Sequence, residues 1–207
     1  MYTVLTKHVA TIEVERSKFI ALLLPLTDLE QVKNELEIIK KDYPNARHYV
    51  YAAKVGVTAK SSDDGEPSGT AGRPLMNLLA NHKLDNVLLV VVRYFGGIKL
   101  GAGRLLRTYV ESGQEVIAKS ELYAPLVVNV YELETSYADF ELIKRNLDYL
   151  NAELGLIDYN INVKFELLSL HQLSDALKSL TLGKVNIKVR RQEVKYQKVN
   201  IEVQDEK

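Results

Sequence analysis

Two glycine-rich, charged stretches flanking an unbroken run of β-branched residues and leucines set the strongest limit on how this chain folds. SDDGEPSGTAGRP (Ser62–Pro74) comes first, then NVLLVVVRYF (Asn86–Phe95), which runs directly into GGIKLGAGRLLRTY (Gly96–Tyr109). Of the 11 glycines, seven lie between Gly65 and Gly103. Glycine accepts positive φ and close backbone approach, and it weakens regular elements elsewhere. Val87–Val92 is apolar at every position, the pattern of a strand buried on both faces. Such a cluster around a buried strand points to a built surface rather than plain connectors.

At 207 residues, 46% hydrophobic and 26% charged, the chain has an ordinary globular composition with room for one large or two small domains. Its longest apolar runs, Phe19–Leu24 and Val87–Val92, are too short for a membrane helix, and no signal-peptide pattern follows Lys7 and His8. Without cysteine there is no disulfide or thiol chemistry, so a reducing cytoplasm is the expected location. The 27 basic residues equal the 27 acidic ones, so any nucleic-acid footprint must be local.

The periodicities predict strands over Tyr2–Glu13 and Lys18–Leu24, then a helix capped by Thr27-Asp-Leu-Glu30 and closed by Pro44. A strand over Ala46–Val55, a loop over Thr58–Gly69 and a helix over Thr70–His82 follow. After the buried strand and second glycine loop, Leu105, Leu106, Tyr109, Val110, Val116 and Ile117 form one helical stripe. The pattern restarts after Tyr123-Ala-Pro125: strand, helix capped by Ser136, two strands, helix capped by a Ser169–Gln172 box, and a final strand or strand pair over Lys184–Val203. That βαββαβ order is ferredoxin-like. The expected architecture is therefore α+β, with an N-terminal domain over 1–123 and a ferredoxin-like C-terminal domain over 126–207.

A glycine loop emptying into a helix aims backbone amides outward, and the helix dipole adds positive charge there. Gly96, Gly97, Gly101 and Gly103 match neither the Walker A nor the dinucleotide spacing, but Lys99, Arg104 and Arg107 gather at the same helix start. Cations there are disfavoured unless an anion joins them. Two readings stay open: an anion site that also draws on Arg73 and Arg93, or a tight turn with solvated basic side chains. The acidic loop, Asp63, Asp64 and Glu66, lacks the ligand spacing of a calcium loop and reads as a solvated turn or as carboxylates tied to Arg73 and Arg93. No metal and no cofactor is expected. Ser68 and Thr70 lie outside a nucleophile elbow; His48, in ARHYVYA, is the histidine to test, while His8, His82 and His171 sit on ordinary elements. If the chain is catalytic, the candidates are His48, Asp64 and Glu66. A secondary basic row, Lys184, Lys188 and Arg190 with Asn186, alternates with apolar residues and continues through Arg191, Lys195 and Lys198. It either tracks a phosphate backbone or blunts a sheet edge.

At SDDGEPSGTAGRP and VVVRYFGGIKLGAGRLLRTY, supported by ERSKFIA (Glu15–Ala21) and ARHYVYA (Ala46–Ala52), the sequence resembles the YigZ/IMPACT family over about Tyr2–Ser120. Arg104 stands where family members usually carry glycine, and Thr108 where they usually carry alanine. The resemblance implies an N-terminal domain like the second domain of a small-subunit ribosomal protein, a βαβ sandwich. It implies a C-terminal half similar to the last domain of elongation factor G. Eukaryotic members of that family regulate translation under amino-acid starvation by binding a ribosome-associated activator; some bacterial members carry a dipeptidase label, for which this sequence offers no metal-ligand constellation. The first functional expectation is accordingly a cytoplasmic, non-enzymatic, translation-associated regulator binding RNA or the ribosome through the glycine/arginine loop. The alternatives are an enzyme acting on a phosphorylated or anionic small molecule in the same cleft, and a protein-docking module; no membrane partner is expected.

Overall fold

The computed structural model of the chain describes residues 1–185 and 187–199, with the side chains of Lys188 and Val189 outside the description. The chain divides into two compact units, Pro125–Gln197 forming one and Met1–Ala124 with the end of the last strand forming the other. The architecture is α+β in both.

The N-terminal unit is built from β1 (His8–Val14), β2 (Ser17–Pro25), α1 (Gln31–Asp42), β3 (His48–Val55), β4 (Thr58–Ser62), α2 (Gly72–Asn81), β5 (Val87–Tyr94) and α3 (Ala102–Ala118). Its antiparallel sheet has the order β1-β2-β5-β3-β4. β5 sits in the middle because it can be covered on both faces. Val87, Leu89 and Val91 pack towards the cluster that holds Leu75, Leu79, Leu105 and Tyr109 of α2 and α3. Leu88, Val90 and Val92 pack towards Val32 and Ile39 of α1. β2 divides the same way, with Phe19, Ala21 and Leu23 on one side and Ile20, Leu22 and Leu24 on the other. Side chains alternate with a period of two, so one slip in register would exchange these sets.

In the C-terminal unit, β6 (Leu122–Thr135), α4 (Tyr137–Arg145), α5 (Leu147–Leu150), β7 (Glu153–Tyr159), β8 (Val163–Ser169), α6 (Ser174–Leu180) and β9 (Lys188–Val199) follow in turn. Its sheet order, β7-β8-β6-β9, is the ferredoxin-like arrangement read from the sequence. Tyr131, Leu133, Phe140, Ile143, Phe165 and Leu177 are at its core.

Several local expectations need correction. The segment read as a loop from Thr58 begins with β4, which pairs antiparallel with β3; polar Thr58, Lys60 and Ser61 hide it because an edge strand gains its hydrogen bonds from one neighbour without burying a face. Thr27 makes no capping box with Glu30. It hydrogen-bonds Gln31 instead, while Asp28 accepts from the Glu30 amide. The Ser169 hydroxyl accepts from the His171 amide two residues on, so α6 starts only at Ser174, beyond the proposed box. Ser136 does cap α4, accepting from the Asp139 amide. Leu106 is 37% exposed, off the buried stripe of α3. The final strand begins at Lys188, and the expected continuation from 200 to Val203 lies outside the described residues, as does Asn186.

The second glycine loop is fastened to the β1–β2 turn, where Glu15 and Arg16 both take positive φ (46° and 62°). The Gly96 amide donates to Ser17 Oγ at 3.1 Å. A Cβ on Gly96 would lie 2.1 Å from the Arg16 carbonyl carbon, so only glycine fits. Gly96→Ala is expected to destabilise the protein by about 1–3 kcal/mol, measured by denaturant unfolding against Gly103→Ala, whose added Cβ meets nothing within 4 Å.

Candidate functional site

The register of three strands assembles one end of the sheet. Phe19 of β2 is opposite Arg93 of β5, and Arg93 is opposite His48 of β3. Arg93 continues the face of Val87, Leu89 and Val91, so a cation enters the apolar side next to α3. Only 5% of it is exposed. Such a charge needs compensation. Arg93 Nη1 donates to Glu66 Oε1 at 2.6 Å, and the Tyr109 hydroxyl donates to that oxygen at 2.8 Å. The guanidinium also lies 5.2 Å from the Phe19 ring centroid and 5.5 Å from that of Phe95. Its Nε is buried with no hydrogen-bond partner among the described residues. Burial, reinforced by the Glu66 charge, holds the Tyr109 hydroxyl far above its ordinary pKa, so it stays a neutral donor.

The three carboxylates of the acidic loop do different work. Asp63 Oδ1 accepts from the amides of Ala71 and Gly72, and Oδ2 from that of Gly69, so this side chain caps α2. Desolvation pushes its pKa up, but the three amides outweigh that and leave it below the ordinary carboxylate value. Asp64, at φ 43°, accepts from the Tyr49 amide through Oδ2 at 2.6 Å. Its carbonyl oxygen lies 2.7 Å from His48 Nδ1. A carbonyl only accepts, so Nδ1 carries the hydrogen. His48 Nε2 is 3.8 Å from Glu66 Oε2, which has no hydrogen-bond partner among the described residues.

Glu66 and His48 open onto a pocket of about 380 Å³ whose lining also includes Arg47, Phe95, Lys99 and Gly101. The acidic loop and the second glycine loop therefore meet in space. Gly101, at φ 76°, turns the chain into α3, and no side chain among the described residues caps that helix. The Leu105 amide reaches the Gly101 carbonyl, leaving the amides of Ala102, Gly103 and Arg104 without acceptors among the described residues. The pocket thus combines an open helix N-terminus, exposed cations and the Glu66–His48 contact at its base.

Of the residues singled out in the sequence, Arg93, Lys99 and Gly101 line this pocket, as do the catalytic candidates His48 and Glu66. The cations do not all converge. Arg104 pairs with Glu15 at 2.8 Å across the β1–β2 turn, and Arg73 and Arg107 are exposed outside the lining. Gly97 is needed for its φ of 88°, whereas Gly103 meets no such demand. Thr70 Oγ1 is spent on the Pro67 carbonyl, and Asp64 on Tyr49 and His48. Among the described residues no group of His, Cys, Asp and Glu could hold a metal ion. The secondary basic row is largely paired within its own unit: Arg190 with Glu132, Arg191 with Glu166 at 2.7 Å and Glu193 at 2.6 Å, and Lys195 with Glu153 at 2.9 Å. Lys198 pairs with Glu121 at 2.5 Å, Lys184 is exposed, and the Lys188 side chain lies outside the described residues. Sequence reasoning missed Arg47 and Phe95 as lining residues, and Tyr109 as the second donor to Glu66. Arg47 and Phe95 stand beside His48 and the glycine loop, and that adjacency was the available signal.

A family model described as the Impact N-terminal domain matches residues 15–117, a span that contains every residue lining the pocket. The chain is 34% identical over 184 residues to IMPACT family member YvyE of Bacillus subtilis (strain 168), covering 86% of this chain and 85% of that one. The chain belongs to the IMPACT family. It is also 31% identical over 152 residues to IMPACT family member YigZ of Escherichia coli (strain K12), covering 71% and 74% of the two chains. A crystal structure of a hypothetical protein superposes with a TM-score of 0.57 at 26% identity, over 93% of this chain and 98% of the other. The IMPACT-type N-terminal unit is thus where the long motifs, the family match and the pocket coincide.

Two measurements check the electrostatics. Arg93→Met leaves Glu66 buried and unpaired and is expected to cost about 3–5 kcal/mol; adding Glu66→Gln should recover part of that loss in a double-mutant cycle by denaturant unfolding. Asp63→Ala is expected to cost about 0.5–2 kcal/mol at neutral pH. Because the folded-state pKa of Asp63 is depressed, its contribution is present above the unfolded carboxylate value and is lost as pH falls through the folded one. The gap between the variant and the parent should accordingly narrow below about pH 4, read from unfolding curves across that range.

Proposed function

We propose that this chain is a cytoplasmic, non-enzymatic, translation-associated regulator that binds RNA or the ribosome by seating a phosphate at the start of α3. The translation link comes from family membership and from the role of eukaryotic members of the family. The observation that carries the binding mode is the uncapped N-terminus of α3, whose Gly101 and Ala102 line a pocket flanked by Lys99 and Arg47. Backbone amides and helix dipole favour an anion there, and the two exposed cations add to it. Arg93 helps fix the base of the site but is committed to Glu66. Arg107, exposed on the second turn of α3, extends the basic surface towards a longer phosphate chain, while Arg104 is held by Glu15.

A second reading, an enzyme acting on an anionic small molecule, rests on His48. Its Nδ1 is anchored by the Asp64 carbonyl, leaving Nε2 to accept a proton inside the pocket.

RNA affinity should fall steeply with salt, and Arg47→Ala and Lys99→Ala should each flatten the log–log slope by about 1. Filter binding at several ionic strengths reads this. Affinity and slope unchanged in the double variant would overturn the binding mode. A metabolite turned over by the parent and not by His48→Ala would establish the enzyme instead.

A further inference from the structure

We propose that His48 is a proton-operated latch for the acidic loop. Taking up a proton lets the ring join Glu66 to the Asp64 carbonyl, and losing it leaves Glu66 to Arg93 and Tyr109 alone. The same proton sets the charge at the base of the pocket.

The ring is fastened at one end only. Its Nδ1 lies 2.7 Å from the Asp64 carbonyl oxygen, an acceptor that requires the hydrogen on Nδ1 in either charge state. Gly65, at φ 82°, lies against the ring, and a Cβ there would be 3.6 Å from Nδ1. At the other end, Nε2 is 3.8 Å from Glu66 Oε2, too far for a hydrogen bond. The His48 side chain is 14% exposed and that of Glu66 4%, so solvent screens the contact weakly. Arg93 and Tyr109 occupy Oε1 of the same carboxylate, whereas Oε2 has no hydrogen-bond partner among the described residues.

These positions define two states that differ by one proton. In the uncharged ring, Nε2 presents a lone pair to a carboxylate oxygen and nothing joins them. In the charged ring, Nε2 carries a hydrogen, and a small pivot about the anchored Nδ1 closes the gap to about 2.8 Å. The imidazolium then bridges two acceptors of one loop across Gly65. The rest of the loop is already tied down, since Asp64 Oδ2 accepts from the Tyr49 amide and the Glu66 amide donates to the Asp63 carbonyl.

The surrounding charges put both states within reach. Glu66 and the Asp64 carboxylate favour the proton. Arg47 beside His48, Arg93 opposite it on β5 and Lys99 in the same pocket lining oppose it. Asp63 is turned to the amides at the start of α2, and Tyr109 on α3 stays a neutral donor to Glu66. Imidazole is the side chain whose ordinary titration falls between about pH 5 and 8. Proton uptake changes the base of the pocket from a matched Arg93–Glu66 pair to one net positive charge. Its effect on a bound anion rests on the site proposed above; the latch itself does not.

The test follows the histidine rings of the full chain by NMR from about pH 5 to 8, with His8, His82 and His171 as internal comparisons. His48 should keep its hydrogen on Nδ1 throughout and gain one on Nε2 at the acid end. Protection of the Tyr49 and Glu66 amides against hydrogen exchange should rise about tenfold with that proton, the effect of one charge-assisted hydrogen bond. His48→Gln, which keeps a donor for Asp64 but takes up no proton, should abolish the response, as should Glu66→Gln. Glu66→Gln also loosens Arg93, so His48→Gln and the parent decide the matter if that variant does not fold. A His48 ring that does not titrate in this range overturns the latch. So does an uncharged ring with its hydrogen on Nε2, or amide protection that ignores the titration. Sulfate, whose charge is constant over this range, should bind the parent about tenfold more tightly at the acid end and His48→Gln equally at both ends. Sulfate bound equally by the parent at both ends overturns the charge effect. Sulfate bound at neither end sinks the anion site, and the ring and amide measurements still decide the latch.

Discussion

The N-terminal unit depends on a buried ion pair between Arg93 and Glu66. Taking both charges out of water costs several kcal/mol per ion unless hydrogen bonds and partner charges replace the solvent. Here the carboxylate receives the guanidinium and the Tyr109 hydroxyl on one oxygen, and Phe19 and Phe95 lie within cation–π range of the guanidinium. These contacts come from β2, β5 and the residue that follows it, α3 and the loop before α2. The pair therefore specifies register. A one-residue slip of β5 would turn Arg93 to the α1 face, away from its partner.

Around that pair the acidic loop is a scaffold. Asp63 closes the start of α2, Asp64 ties the loop to β3 through the Tyr49 amide and His48, and Glu66 reaches inward. α2 and α4 each have a side chain accepting from their first amides, Asp63 and Ser136, whereas α3, like α6, has none among the described residues. The glycine loop delivers that open end to the pocket while Ser17 and the backbone of Arg16 hold the other end of the loop. Rigid attachment on one side and unused donors on the other are what a ligand site needs.

The C-terminal unit handles charge differently. Arg190, Arg191 and Lys195 face carboxylates on the same unit. The Arg191 guanidinium beside Glu166 holds that carboxyl below its usual range. Surface pairs of this sort contribute little stability, but they neutralise a row that would otherwise attract phosphate. The exposed cations flanking the open helix end lie in the other unit.

The sequence by itself determined the α+β class, the ferredoxin-like order after Pro125, the doubly buried central strand, and the two loops that build the pocket. Those features rest on local periodicity and on glycine's backbone freedom, which are written residue by residue. β4 was illegible because an edge strand need not bury apolar side chains. Which cations were free was illegible too: Arg93, Arg104 and Arg190 look alike in sequence, and each is taken by a carboxylate 27, 89 or 58 positions away. Pairing across such distances is set by strand register and loop closure. Only the tertiary structure could decide that Glu66 turns inward while Asp63 and Asp64 hold backbone, because burial and partner, not residue type, assign a carboxylate its role.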